Sequence, residues 1–509
     1  MNLFHFSLGV FVGLLFCQIW WDVAGFTIRA EDLLALILLG DFFLRALLTG
    51  KLRLIRNSLN LPLLAWGGVL GVGVMITLLS PFDNTIHKDA LVNGVRLILA
   101  IGMFFVVSSY KIPAKKKLKA TVISVLGVSL VTTAVAVLQI GYWDRMLPIR
   151  LPEVLITFKE GANTERGREI FALYIGDTGS HTWSGMLAMQ ALLVWLIGRY
   201  AKKPWTKVGA FLYFGLMVLI LVRISVRSSI MGLLIAIIGI EVLRGHRLIG
   251  KTLRVIAVAI VGALLVYILL YMAPDTYFIG RIRQVIPRFE GNRLFVHPGS
   301  NIYGRLDYWA AALRIFASAP LTGTGFYTYR VLSGRFLPSA IVHAHNSFFH
   351  TLAEFGIIGA LVLGWLVASM IYYLYYTRHC LGQLTASIAL WWEFVAGSLL
   401  FSAFASFFDN HLYLPTPISF RLVALGILVS LASEQCKAVK IGNNRNRRKY
   451  EPLQMETVHR HYIPRCSQGY VRATDNAVEF LPGPQQAPAG GDLGHRFLAH
   501  QQDATPLGL

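Results

Sequence analysis

The sequence predicts an all-α, polytopic membrane protein of about twelve transmembrane helices with a large loop on its outer side. Three observations carry that expectation. Of 509 residues, 55% are hydrophobic and 14% are charged, where a soluble domain carries about 25% charged residues. Apolar runs of about 18 residues or more recur along most of the chain, each long enough to cross a bilayer core of about 30 Å. The loops between alternate runs are basic, the pattern that orients membrane helices. A transmembrane β-barrel would instead show short alternating segments.

In chain order the expected spans lie near 3–21, 27–48, 60–80, 90–110, 120–141, 181–199, 208–224, 228–243, 255–273, 347–376, 384–405 and 417–434. The first residues, MNLFHFSLGVFVGLLFCQIWW, lack a basic n-region and a small-residue cleavage site, so they read as a retained helix. KLRLIR (51–56), KIPAKKKLK (111–119), RYAKKPWTK (199–207), RGHRLIGKTLR (244–254), TRH (377–379) and KAVKIGNNRNRRK (437–449) form one alternate set of loops. All are basic, which places them and both termini on the cytoplasmic side. Long loops near 142–180 and 274–346 then face outward, and loops this long usually carry function. RISVRSS (223–229) is a tight link that leaves Arg227 at the outer face.

These segments make a transmembrane domain over 1–434 and a basic cytoplasmic tail over 435–509. From about 450 the tail is rich in Pro, Gly, Gln and Ala and is expected to be disordered. The net charge of +21 resides largely in the orienting loops, and no nucleic-acid module is present. Cys17, Cys380, Cys436 and Cys466 all lie in a span or on the cytoplasmic side, so no disulfide is expected.

The loop 274–346 holds Arg281, Arg283, Arg288, Arg293, Arg305, Arg314, Arg330 and Arg335 but no lysine. Against them stand Asp275, Glu290 and Asp307. The planar guanidinium fork suits bidentate recognition of phosphate oxygens. A phosphorylated ligand and an anionic lipid surface both fit this composition. Within the loop, GRLDYWAAALRIFAS (304–318) places Leu306, Trp309, Leu313 and Phe316 at helical spacing, which predicts an amphipathic helix at the interface. Arg305 falls at its N-terminal end, where backbone N–H groups favour an anion. TYFIGRIRQVI (276–286) is a second, shorter candidate helix. Gly323 and Gly325 flank a threonine in a tight turn, and a lone Gly-x-Gly is weak evidence for a phosphate loop.

VHAHNSFFHTLAEFGIIGALV (342–362) carries His343, His345, His350 and Glu354 into an apolar run. Metal ligation, interfacial placement and catalysis are the three available roles. The first has no acidic or cysteine partner at suitable spacing, so no metal is assigned. His350 and Glu354 stand at i, i+4 and can pair. His345 precedes the helix at the water boundary, where an imidazole can exchange protons. Asn346 beside it is a natural N-cap that fixes the ring's position.

HNSFFHTLAEFGIIGALV resembles the signature of the O-antigen ligase and polymerase superfamily, matched at His345, Asn346, Glu354, Gly356 and Gly359. GRLDYWAAALRIFASAPLTGTG (304–325) resembles a second family block at Arg305, Trp309, Pro320, Gly323 and Gly325. VRSSIMGLL (226–234) is similar to the family's Ser-Arg-Gly segment and supplies Arg227, with valine before the arginine and serine after it. FFDNHLYLP (407–415), with Asp409, lies where the family has a polar outer loop. The resemblance spans about 180–430. It implies a GT-C-like glycosyltransferase of the bacterial inner membrane that works without a metal or other cofactor and inverts the anomeric centre. The implied donor is a glycan on undecaprenyl diphosphate, handed over on the periplasmic face. Lipid A–core oligosaccharide is the acceptor for a ligase, a second lipid-linked repeat for a polymerase, and a protein hydroxyl for an O-oligosaccharyltransferase. The ligase is the preferred expectation. His345 would be the general base, with Arg227 and Arg305 on the diphosphate, and Arg281, Arg283, Asn346 and Asp409 binding donor or acceptor. Glu354, Gly356, Gly359 and Trp309 would be structural. A secondary transporter is the non-enzyme alternative, with Asp41, Arg45 and Glu393 as intramembrane charges.

Overall fold

A computed structural model of the protein describes residues 3–17, 20–23, 26–50, 54–110, 112–143, 180–224, 227–244, 288–290, 293–295, 301–338, 340–380, 385–408, 415–449, 473–474 and 477–478. Among them are thirteen α-helices: α1 (Leu3–Cys17), α2 (Ala30–Thr49), α3 (Asn60–Leu79), α4 (Asn84–Ser109), α5 (Ala114–Trp143), α6 (Ser180–Tyr200), α7 (Pro204–Ile224), α8 (Arg227–Arg244), α9 (Asn301–Ser318), α10 (Tyr329–Leu332), α11 (Ser347–Cys380), α12 (Ala386–Phe408) and α13 (Pro415–Lys449). By length and composition, seven of the described helices can cross a membrane: α3, α4, α5, α7, α11, α12 and α13. Helices also stand at the other expected spans, except that near 255–273, which lies outside the described residues.

Among the described residues, three places depart from the all-helical expectation. The first expected span reaches residue 21, yet α1 ends at Cys17 and the chain forms an antiparallel ribbon of β1 (Trp20–Val23) and β2 (Phe26–Arg29). The sequences WWDV and FTIR are rich in aromatic and β-branched residues, which suit a pleated ribbon. In the large loop, β3 (Arg288–Glu290) pairs with β4 (Arg293–Phe295). The candidate helix over 276–286 lies outside the described residues. So does the tail beyond 450, apart from β5 (Ala473–Thr474) paired with β6 (Ala477–Val478).

Burial separates central helices from peripheral ones. Within their apolar windows α12 and α13 are 72% and 78% buried, whereas α7 is 17% buried. Leu212, Leu216 and Leu219 of α7 are exposed, an arrangement suited to lipid and costly in water. Trp391 and Trp392 of α12 each keep an N–H partner, donating to Ala424 O at 2.9 Å and Leu374 O at 3.0 Å. α3 packs on α4 and α11, and α8 packs on α6 and α12. Gly232 lies against Phe401 and Gly239 against Leu400, small residues that let helix backbones approach. Buried Lys117 of α5 donates to Val107 O at 2.7 Å and Ser430 Oγ at 3.0 Å, tying α5 to α4 and α13.

The carboxylates that suggested a transport pathway are closed by cations. Asp41 accepts from Arg45 Nε at 2.9 Å and from Tyr110 O–H at 2.8 Å. Glu393 pairs with Arg244 and accepts from Tyr200 O–H at 3.0 Å. Glu241 pairs with Arg199 in the same region. Glu393 is nearly inaccessible, so removing it strands a cation among apolar helices. Glu393→Ala is therefore expected to destabilise the detergent-solubilised protein by about 3 kcal/mol, read as a lower Tm. An unchanged Tm would show that the pair holds nothing together.

Candidate active site

The mouth of α11 is built by a side-chain cap. Asn346 Oδ1 accepts from Phe348 N–H at 2.9 Å and Phe349 N–H at 3.2 Å, satisfying two donors that a helix start leaves unpaired. Its Nδ2 donates to Phe407 O at 3.4 Å, fastening the mouth to the end of α12. The residue before the cap, His345, has φ of 51°. This is a left-handed backbone, uncommon for any residue with a Cβ. The imidazole is half-buried, with its ring centre 4.4 Å from that of His343 and 5.7 Å from that of Tyr308. The two rings of the His-x-His pair do come together, and Tyr308 of α9 forms the next wall.

α9 starts earlier than expected. It begins at Asn301, so Arg305 lies a full turn inside the helix rather than among its first N–H groups. Two leucines of the apolar stripe expected at the interface do not pack into the protein. Leu306 and Leu313 are exposed, while Ala311, Ala312 and Ile315 are buried. Small alanines allow α9 to lie close on its neighbours, with Leu306 and Leu313 on its outer side. Trp309 stacks on Phe349 of α11 at 5.4 Å and 26°. Arg305 and Tyr308 stand at i, i+3, which puts them on one side of the helix. The side of α9 that meets His345 is thus the side that carries Arg305.

Behind this wall the Gly-x-Gly turn has a structural task. α11 is broken at Gly356, which has φ of 63° and ψ of −162°. The carbonyls of Ala353 and Glu354 and the N–H groups of Ile357 and Ile358 consequently lose their partners within the helix. The turn replaces all four. Thr324 N–H donates to Ala353 O at 3.2 Å, and Gly325 N–H donates to Glu354 O at 3.0 Å. Ile357 N–H donates to Pro320 O at 2.9 Å, and Ile358 N–H donates to Leu321 O at 3.3 Å. Gly323 and Gly356 face each other's backbones so closely that a Cβ on either would overlap main-chain atoms of the other segment. Gly325, with φ of 106°, lies against Thr77, and Phe326 N–H donates to Gly73 O at 3.0 Å, so the same turn holds α3. Gly359 lies between Phe355 and Val69 of α3.

Glu354 is the polar centre of this clasp and is fully buried. Its Oε1 accepts from Tyr329 N–H at 3.1 Å, and its Oε2 lies 3.3 Å from His350 Nε2, the i, i+4 pair expected from the sequence. Tyr329 in turn donates its O–H to Tyr308 O at 2.9 Å, which anchors α9 beside His345. Burial raises the Tyr329 phenol well above its ordinary value, so it remains a protonated donor. Tyr308 and Tyr329 were not singled out from the sequence. The i, i+3 spacing of Tyr308 from Arg305 is the signal that could have marked it.

The remaining predicted residues separate by position. Arg227 begins α8, which runs antiparallel to α12, with Gly232 near Phe401 and Arg244 near Glu393. That places the start of α8 at the Phe407 end of α12, the end to which Asn346 is fastened. Arg281, Arg283 and Asp409 lie outside the described residues. Two other loop arginines have local duties: Arg330 donates to Asp89 of α4 at 2.9 Å, and Arg314 lies over the Phe336 ring at 5.8 Å.

Residues 212–364 match the family model described as O-antigen ligase, so this segment is similar to that family. It contains α8, α9, the clasp, His345, Asn346 and Glu354. No curated protein matches the chain.

The clasp makes a directional prediction. Gly323→Ala or Gly356→Ala adds a Cβ at positive φ against fixed backbone, and each is expected to cost at least about 3 kcal/mol in thermal unfolding. Gly364→Ala, in open space further along α11, is the control and should leave Tm unchanged or slightly raised. Equal behaviour of all three variants would rule the clasp out.

Proposed function

We propose that the protein is an O-antigen ligase of the bacterial inner membrane. It moves a glycan from undecaprenyl diphosphate to lipid A–core oligosaccharide at the periplasmic end of the bundle. The O-antigen ligase segment supports the superfamily, whose members are membrane glycosyltransferase-like enzymes acting on lipid-linked glycans. The observation that carries the reading is the meeting of His345 with the Arg305 side of α9 across Tyr308. In this reading the proton acceptor and the phosphate-binding cation belong to adjacent walls. The basic loops at the opposite ends of these helices support a periplasmic orientation for this end.

In the proposed reaction His345 takes the proton from an acceptor hydroxyl as that oxygen attacks the anomeric carbon. The carbon–oxygen bond to the diphosphate breaks in the same displacement, which inverts the centre. The bonding electrons leave with undecaprenyl diphosphate. Arg305 and Arg227 stabilise the charge gathering on it, with Arg281 and Arg283 as further contacts. Asn346 holds the imidazole in place through the cap, and Asp409 binds acceptor sugar. The leaving group needs positive charge aimed at it, and guanidinium groups can supply that charge.

Loss of the gene should remove O-chains from the core on a lipopolysaccharide gel while lipid-linked polymer accumulates. A core bearing a single repeat would identify a polymerase instead. His345→Ala should insert and fold but lower transfer by about 100-fold or more, measured with purified donor and acceptor in vitro. Normal transfer by this variant would exclude His345 as the base. Arg305→Lys keeps the charge and loses the fork, and transfer should fall by about tenfold or more at unchanged Tm.

A further inference from the structure

Two adjoining cavities of about 360 and 600 Å³ open at the end of α3 and α11 opposite His345. Arg56 lines both. The smaller is walled by Ser58, Tyr372, Tyr376, Thr377 and Cys436, and no carboxylate lines it. The larger includes Glu434, which accepts from Ala114 N–H at 2.7 Å and repels an anion from that side.

The loop presenting Arg56 is fixed in place. Ile55 N–H donates to Ser109 Oγ at 3.1 Å, and Ile55 O accepts from the side-chain amides of Asn57 and Asn60, both at 3.0 Å. Asn57 Oδ1 accepts from Leu59 N–H at 2.8 Å, and Leu59 is fully buried. An arginine that only orients a helix by its charge needs no such framework. The Arg56 side chain is exposed, and among the described residues it forms no ion pair. Beside it, Tyr372 and Tyr376 stack with ring centres 6.3 Å apart, both exposed at the end of an apolar helix where tyrosine meets lipid headgroups. Trp365, Ala368, Tyr372 and Tyr376 follow one exposed face of α11 at helical spacing.

We propose that the smaller cavity binds the phosphate headgroup of an anionic phospholipid. Arg56 holds the phosphate oxygens through its fork. Ser58 and the tyrosine hydroxyls face the headgroup's polar atoms, and an acyl chain lies along Ala368 and Trp365. The site is separate from the catalytic one, about 40 Å away along α11.

Cys436 on the cavity wall reports occupancy. The full-length protein with Cys17, Cys380 and Cys466 changed to Ser is placed in nanodiscs, and alkylation of Cys436 by a neutral maleimide is timed. Phosphatidylglycerol mixed into phosphatidylcholine should slow labelling relative to phosphatidylcholine alone. Arg56→Gln should raise the phosphatidylglycerol concentration needed by about fivefold. Ser58→Trp, which fills the cavity from an exposed position, should abolish lipid-dependent protection. Absence of protection, or protection indifferent to both substitutions, overturns the site. Inorganic phosphate added to phosphatidylcholine nanodiscs is the second arm. Equal, Arg56-dependent protection by phosphate alone assigns the cavity to a soluble phosphate and overturns the lipid.

Discussion

A helix broken in the interior of a bundle strands two carbonyls and two N–H groups, and stranded backbone groups are costly where water does not reach. At Gly356 the chain meets this constraint by exchanging all four groups with the turn at Pro320–Gly325. The exchange requires the two backbones to touch, and they can touch because Gly323 and Gly356 lack a Cβ. Everything on the His345 side of the bundle is indexed from this crossing. The turn fixes where α9 ends and where α10 begins, and it holds α3 through Phe326, Thr77 and Gly73. Buried Glu354 then converts a backbone crossing into a polar hub, with Tyr329 and His350 as its partners.

The candidate base is positioned by several local solutions acting together. Asn346 terminates the helix and ties it to α12. The left-handed backbone of His345 turns its ring toward His343 and Tyr308 rather than along the helix. Tyr329 anchors the backbone of Tyr308 from behind. An imidazole held in this way has little conformational freedom left to lose when a ligand binds beside it. The price is a mildly strained residue, a cost that surrounding packing can carry.

Charge is divided between the ends of the molecule according to task. At the end where α8 finishes and α12 starts, carboxylates and arginines neutralise each other within apolar surroundings. Such pairs hold helices together, because removing one partner would leave a buried charge uncompensated. Near His345 the loop arginines divide their labour. Arg330 braces α4, Arg314 rests on an aromatic ring, and Arg305 stands on the wall shared with Tyr308. Of the eight loop arginines, Arg314 and Arg330 are thus engaged within the protein itself.

The sequence by itself determined the helical class, the places of the described spans, the Asn346 cap and the His350–Glu354 pair. Each depends on nearest neighbours along one helix or on apolar length, and such relations survive without tertiary context. The start of α9, its buried face, the ribbon after α1 and the meaning of Gly-x-Gly were decided by tertiary packing. Leu306 and Leu313 mark the apolar stripe on a helical wheel, but only the packing shows that the neighbouring surface covers Ala311, Ala312 and Ile315. The glycines resemble a phosphate loop until a second backbone, about 30 residues away in the chain, is brought against them. Contacts between distant segments are fixed by shape complementarity across the whole bundle, and no local pattern encodes them.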